Sequence, residues 1–227
     1  MKIKIWSLSL AATMLLTTGC AGISIKKSGA ETAENITITA DIHAIESNGS
    51  TDIEFRQGSP SFKLYAPEDM IEYIDLTVEN GTLIISNYYP GNRIGSIKSK
   101  LVITYPDIDK FISGGTANIE IKNLKTNDLT IVSNGVGDIE CESIECQYLT
   151  ATTSGTGDID IKDLKCTALA LMTQGTGDIK CSNLDVAGAI GATTEGTGDI
   201  ELSGKCYDFH SNKMGTGDIN SKNLIKN

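Results

Sequence analysis

The sequence predicts an all-β protein built as a single-stranded parallel β-helix with rungs of about 20 residues, and three observations lead there. The first is a recurring phrase. It reads Gly115-Thr116-Ala117-Asn118-Ile119, then Gly135-Val136-Gly137-Asp138-Ile139, and continues from Gly155, Gly175, Gly196 and Gly215, each time as Gly-Thr-Gly-Asp-Ile. The leading glycines are 20, 20, 20, 21 and 19 residues apart. Self-similarity at a fixed period of this size marks a solenoid, whose repeats bury their apolar faces only against their neighbours.

The second observation is a set of apolar columns between the glycines. The fourth position after each leading glycine is always Ile, from Ile119 to Ile219, and the sixth is Ile121, Cys141, Ile161, Cys181, Leu202 and Ser221. The ninth reads Leu124, Ile144, Leu164, Leu184, Lys205 and Leu224, and a further column runs Leu129, Leu149, Leu169, Ile190 and Phe209. The third is the spacing within each column set. Apolar residues stand two apart in short runs broken by Gly, Asn and Asp, and no window sustains a helical period. At roughly 3.3 Å per residue, such a repeat makes one rung of three short strands. The long and short intervals leave the overall phase unchanged, and the least regular turns, Asp185 to Gly188 and Lys205 to Asp208, are expected to absorb them.

The chain divides into an export signal over residues 1–19, a Cys20-led tether over 20–35, and one β-helix domain over 36–227, irregular to residue 112 and regular from 113. Met1-Lys2-Ile3-Lys4 is basic, Ile5 to Leu16 is apolar but too short for a stable span, and Thr17-Thr18-Gly19-Cys20 follows. A small residue before Cys is similar to the lipobox of bacterial lipoproteins, in which the Cys is acylated; Thr17 stands where Leu is usual. Cys20 is therefore the expected lipidation site and the lipid the expected membrane anchor, placing the protein in the bacterial envelope on a periplasmic or surface face.

Removal of residues 1–19 takes away two lysines and no acid, so the net charge falls from −10 to −12. With only Arg56 and Arg93 as arginines, the chain does not have the composition of a phosphate reader, and nucleic acid is excluded as a partner class.

From Ile36 to Ile112 strand signals continue without a strict period: Ile36–Thr39, Asp52–Phe55, Phe62–Tyr65, Ile74–Val78, Leu83–Ser86 and Leu101–Tyr105. Asn80-Gly81 predicts a tight hairpin turn, and Gly49-Ser50-Thr51-Asp52-Ile53 is a worn copy of the later phrase. A solenoid needs an atypical end to cover its first rung, and this half is the expected cap.

The export signal with its Cys, the irregular β half with Val78-Glu79-Asn80-Gly81-Thr82-Leu83, the Tyr105-Pro106 step, Ser113-Gly114-Gly115 and the serial Gly-Thr-Gly-Asp-Ile rungs occur in an order that resembles the putative auto-transporter adhesin, head GIN domain family. The resemblance covers nearly the whole mature chain. It implies a right-handed parallel β-helix in an exported bacterial protein, and it brings no catalytic residues with it.

Three candidate sites follow. Asp138, Asp158, Asp178, Asp199 and Asp218 form an acidic column opened by Asn118. It either binds cations, Ca²⁺ being the ion that Gly-rich Asp turns take in another β-roll class, or caps turns by accepting backbone N–H bonds. Carboxylates stacked at the rung spacing repel by roughly 3 to 4 kcal/mol at an effective dielectric of 20, so something must offset them. Tyr88, Tyr89 and Arg93 lie in the most ligand-like loop, a candidate glycan or protein contact. Cys141 and Cys181 alternate with Ile at the sixth position, and with Cys146, Cys166 and Cys206 they read as free buried thiols, although Cys146 and Cys166, on successive rungs, lie within disulfide range.

The favoured function is a non-enzymatic, adhesin-like binding module. A polysaccharide-active β-helix enzyme is one alternative, although the repeat half has no Arg and a single His to serve as base. A periplasmic assembly or sensory protein is the other, with self-association through the unpaired C-terminal edge near Lys222 to Asn227.

Overall fold

The computed structural model describes residues 23–27, 33–88 and 99–226, and in it the chain is a β-solenoid of about six turns with rungs of some 20 residues. On the first face Ile119, Ile139, Ile159, Ile179, Ile200 and Ile219 are in direct parallel register. On the second, Leu124, Ile144, Leu164 and Leu184 stack, and on the third Leu129, Leu149, Leu169, Ile190 and Phe209. All but Ile219 and Phe209 are buried, and they belong to one continuous core. At roughly 1.5–3 kcal/mol for each buried Ile or Leu side chain, these columns are the main adhesive of the fold.

The expected three separate strands per rung merge in places. Ile139–Glu145 and Ile159–Cys166 run through the first bend unbroken, and Ile179–Thr194 runs through both. These bends turn the chain while its pairing to the neighbouring rung continues.

The long interval places its extra residue between Val186 and Ile190, inside the turn where the pattern was least regular. The short one differs from expectation. Cys181 pairs with Leu202 but Leu184 pairs with Gly204, so the missing residue lies between Leu202 and Gly204, before Lys205. Gly204 therefore takes the column position assigned from sequence to Lys205. Its φ is +130°, and a Cβ there would lie 2.3 Å from Leu184 N, so the tightened corner admits only glycine.

The N-terminal half is threaded out of sequence order. Ala44–Ser47 and Asp52–Gln57 form a true rung, paired in parallel above Lys110–Ser113 and Ile119–Ile121. Between them in sequence, the chain leaves to build the layer above. Ile74–Glu79 and Thr82–Asn87 form a hairpin whose turn, Asn80-Gly81, has both φ angles positive, at 51° and 74°. Thr82–Asn87 then lies parallel on Ala44–Ser47, and Lys100–Tyr105 parallel on Asp52–Gln57. Ser61–Tyr65, Ala33–Ile38 and Ile23–Lys27 extend the first face as antiparallel strands. Strand pairing thus begins within the stretch whose composition reads as a tether, where Ile23 and Ile25 supply alternation too short to stand out. Phe55, Phe62, Leu64, Leu83, Ile85, Leu101 and Ile103 are buried beneath this layer, joined to the core by Phe55 against Phe111 at 5.2 Å between ring centroids.

Candidate functional site

The recurring phrase forms the corner between the third and first faces, where the chain turns too sharply for ordinary strand pairing. From Gly115 to Gly196, the leading glycine's carbonyl accepts two N–H groups from the next rung: Gly135 O takes those of Thr156 and Gly157 at 2.9 and 3.2 Å, and Gly155 O those of Thr176 and Gly177 at 3.0 and 3.3 Å. Backbones approach so closely that a Cβ on Gly175 would lie 2.1 Å from Gly155 O, and one on Gly177 2.2 Å from Gly157 O. Both glycine columns are thus required by contact between rungs.

The aspartates complete the corner. The N–H of Asp138 donates to Asn118 Oδ1 at 3.0 Å, that of Asp158 to Asp138 Oδ1 at 2.9 Å, and so on through Asp178, Asp199 and Asp218 at 2.7–2.8 Å. Asp52 begins the series by accepting from Asn118 N at 3.0 Å. One carboxylate oxygen per rung therefore replaces the backbone acceptor that the turn removes, and these charge-assisted bonds oppose the repulsion between stacked carboxylates. At the far end Lys213 Nζ bonds Asp218 Oδ1 and holds its carboxyl below the usual range. Among the described residues, no cluster of three or more His, Cys, Asp or Glu has the geometry to hold a metal ion.

Inside the corner lies a column that sequence reasoning passed over: Ser47, Ser113, Ser133, Thr153, Thr173 and Thr194, all fully buried. The hydroxyls of Ser133 and Thr153 donate to Gly157 O, that of Thr173 to Gly198 O and that of Thr194 to Gly217 O, at 3.0–3.3 Å. The signal was present, since a hydroxyl residue precedes five of the six repeat phrases by two positions.

Tyr88 is exposed, whereas Tyr89 and Arg93 lie outside the described residues, as does Cys20. The adjoining Asn87 proves to be the informative residue. Its Oδ1 accepts from Ser50 N at 2.7 Å and Thr51 N at 3.2 Å, the same pair of donors that a glycine carbonyl serves in every later rung. The five cysteines are free and buried, and burial pushes the Cys141 and Cys181 thiols up.

The outward side of the first face carries charge instead. Lys122 bridges Glu120 and Glu142, Lys162 approaches Glu140 at 3.4 Å, and Lys100 lies between Glu54 and Glu120. Glu54, mostly buried, also takes Arg56 Nε at 2.8 Å. The bonded Lys100 ammonium, with Arg56 behind it, holds the Glu54 carboxyl below its ordinary value against the opposing effect of burial.

Above this network the three strands Ser61–Tyr65, Lys100–Tyr105 and Asp52–Gln57 lie side by side. Their outward residues form rows: Tyr65 beside Lys100, Lys63 beside Val102 and Glu54, and Ser61 beside Thr104 and Arg56. Together they line an open groove of about 530 Å³. Three cations face one carboxylate there, in a chain whose net charge is −10. Sequence reasoning could not assemble it, because its strands meet only through pairing of Lys100–Tyr105 with two segments some 40 to 50 residues earlier, parallel with one and antiparallel with the other.

Comparison with known proteins gives the fold a family. Residues 41–187 and 151–227 match the family described as putative auto-transporter adhesin, head GIN domain. No curated protein resembles the sequence closely enough to count as a relative. Among solved structures, the chain is similar to a putative adhesin from Bacteroides fragilis, with 22% identity, a TM-score of 0.68, and coverage of 87% of this chain and 98% of that one. A putative adhesin from Parabacteroides merdae gives 17% identity and a TM-score of 0.55, covering 87% and 97%. A putative lipid binding protein from Parabacteroides distasonis gives 19% and 0.51, covering 87% and 98%. At these identities the likeness is one of fold. The family match spans most of the sequence, and the chain belongs to the head GIN domain family.

Proposed function

We propose, with that membership as the premise, that the protein is a non-enzymatic, adhesin-like module: a rigid β-solenoid held at the bacterial envelope by a lipid on Cys20, presenting its outer surface to a glycan or protein ligand. The observation that carries this reading is the match to the adhesin family over residues 41–187 and 151–227, which speaks for an extracellular or envelope protein. The structure supports the division of labour. Of the aspartates that a cation site or a hydrolytic mechanism would draw on, Asp138, Asp158, Asp178 and Asp199 are each engaged with the next rung's N–H and Asp218 with Lys213, so the corner serves cohesion and the surface serves binding.

The test is retention of the full chain on mucin-coated or glycan-coated surfaces, together with Cys20→Ser. Binding by the full chain, and loss of membrane association on Cys20→Ser, are expected. Release of unsaturated sugar ends from a polysaccharide would instead establish the enzymatic alternative.

A second reading, self-association, is favoured by the last described rung. Ile219 is only half-buried where its five predecessors are fully buried, and Ile225 and Met214 are exposed beside it. Concentration-dependent association that disappears when residues 221–227 are removed is the expected result.

A further inference from the structure

We propose that the groove over Tyr65, Lys63, Lys100 and Arg56 binds an acidic oligosaccharide, its sugar carboxylate or sulfate held by the three cations and one ring resting on Tyr65. The proposal rests on the adhesin-like reading and names the ligand class within it.

Four features of the groove argue for this class. First, its charge is opposite to that of the protein. Lys63 has no ion pair among the described residues, and Arg56 engages Glu54 through Nε and one terminal nitrogen, which leaves guanidinium N–H groups to donate outward. Glu54, which also lines the groove, offsets one of the three cations and, being mostly buried, fixes Lys100 and Arg56 in place.

Second, the site is built on rigid elements. The same strands turn Phe62, Leu64, Leu101, Ile103, Ile53 and Phe55 into the core, each at 4% exposure or less, so alternate residues are held outward by packing. Third, the shape suits a chain of sugar rings. The groove is open and within the size range of small-ligand sites, and Tyr65, 42% exposed, offers an aromatic face at one end while the Ser61 and Thr104 hydroxyls stand at the other.

Fourth, other polyanions fit poorly. A lipid headgroup site would be expected to carry an apolar rim for acyl chains, and Val102 is the groove's one aliphatic residue. A nucleic acid, charged along its whole length, would run beyond the groove onto a chain of net charge −10, which a short oligosaccharide would not.

The experiment is calorimetric titration of the full chain with a galacturonate hexamer and a heparin-derived hexasaccharide, using maltohexaose as the neutral counterpart and phosphatidylglycerol vesicles as the lipid one. Binding of one or both acidic probes is expected, weakened by added salt, with maltohexaose and vesicles silent. The galacturonate arm reads a carboxylate and the heparin arm a sulfate. Lys63→Glu should weaken binding at least tenfold and Tyr65→Ala several-fold, while Lys180→Glu, farther along the same face, leaves it unchanged. Lys63 and Tyr65 are surface residues, and unaltered thermal unfolding of both variants checks that the sheet is intact.

Equal binding of maltohexaose, binding to vesicles alone, no binding of either acidic probe, or acidic binding indifferent to Lys63→Glu would each overturn the proposal. Retention of the full chain on mucin that survives Lys63→Glu would remove the groove from adhesion yet leave the adhesin-like module standing. Absence of any retention would remove both.

Discussion

The two ends of the solenoid meet the same problem in different ways. Every corner hands two N–H groups upward and one carboxylate oxygen downward, so an end must supply a substitute partner at each position. At the N-terminal end the chain folds a whole layer back over the first rung, and Asn87 reproduces a glycine carbonyl with its side-chain oxygen. At the other end no layer is added over the last described rung. Lys213 neutralises Asp218, and Lys226 reaches over Phe209 at 5.8 Å from its ring centroid and approaches Asp208 at 3.7 Å. One end is closed by a fold, while the last described rung meets long cations instead, and in both places the corner bonds receive a substitute partner.

Breaking the corner in the middle should have the largest effect. Gly175→Ala forces a Cβ against Gly155 O, whereas Gly191→Ala on the third face meets open space. A loss of about 4 kcal/mol or more, or failure to fold, is expected of the first and about 0.5 kcal/mol or less in either direction of the second, read from denaturant midpoints.

Removing the cap comes next. Asn87→Ala leaves the N–H groups of Ser50 and Thr51 without their acceptor and should cost about 1–3 kcal/mol, while Asn87→Asp keeps an oxygen in place and should cost less. If both variants lose the same amount, the comparison between Asn87 and a glycine carbonyl fails.

The buried hydroxyl column separates the ends again. Ser133→Ala removes a donor to Gly157 O and should destabilise by about 1 kcal/mol, but Ser47 Oγ has no hydrogen-bond partner among the described residues, so Ser47→Ala should be neutral or stabilising. Paired thermal melts decide between them.

The smallest effect is that of acid. Glu54 titrates below its ordinary value in the folded chain, so the unfolded chain binds the proton first as pH falls. Its contribution is complete above the unfolded value near 4.5 and disappears as pH drops through the lower folded value. Glu54→Gln should therefore flatten the pH dependence of stability below about pH 5, and a steeper dependence would show the sign to be wrong.

What the sequence made legible was whatever repeats. The rung length, the Ile column from Ile119 to Ile219, the worn copy at Gly49–Ile53 and the Asn80-Gly81 turn all rest on local pattern, and the structure places each as expected. The features it hid depend on contacts between distant segments. Asn87 looks like any loop residue until Thr82–Asn87 is laid on the rung of Ser47, and the groove exists only because Ser61–Tyr65 pairs with Lys100–Tyr105. Gly204 was hidden for another reason. A single deleted residue moved the register, and counting from the preceding glycine assigned the column to Lys205. For the aspartates the residue type was evident but the partner was not, since capping and cation binding call for the same carboxylate.

That last ambiguity is settled by one measurement: equilibrium unfolding of the wild-type chain and of a variant carrying Asn at 138, 158, 178 and 199, each with and without millimolar Ca²⁺. Asn keeps the Oδ1 acceptor, as Asn118 already does in the same column, and removes four stacked charges. If the corner is a hydrogen-bond ladder, the variant unfolds at the same or a higher denaturant midpoint and Ca²⁺ shifts neither protein. A wild-type midpoint raised by Ca²⁺, with that rise lost in the variant, would contradict the ladder and make the column a cation site.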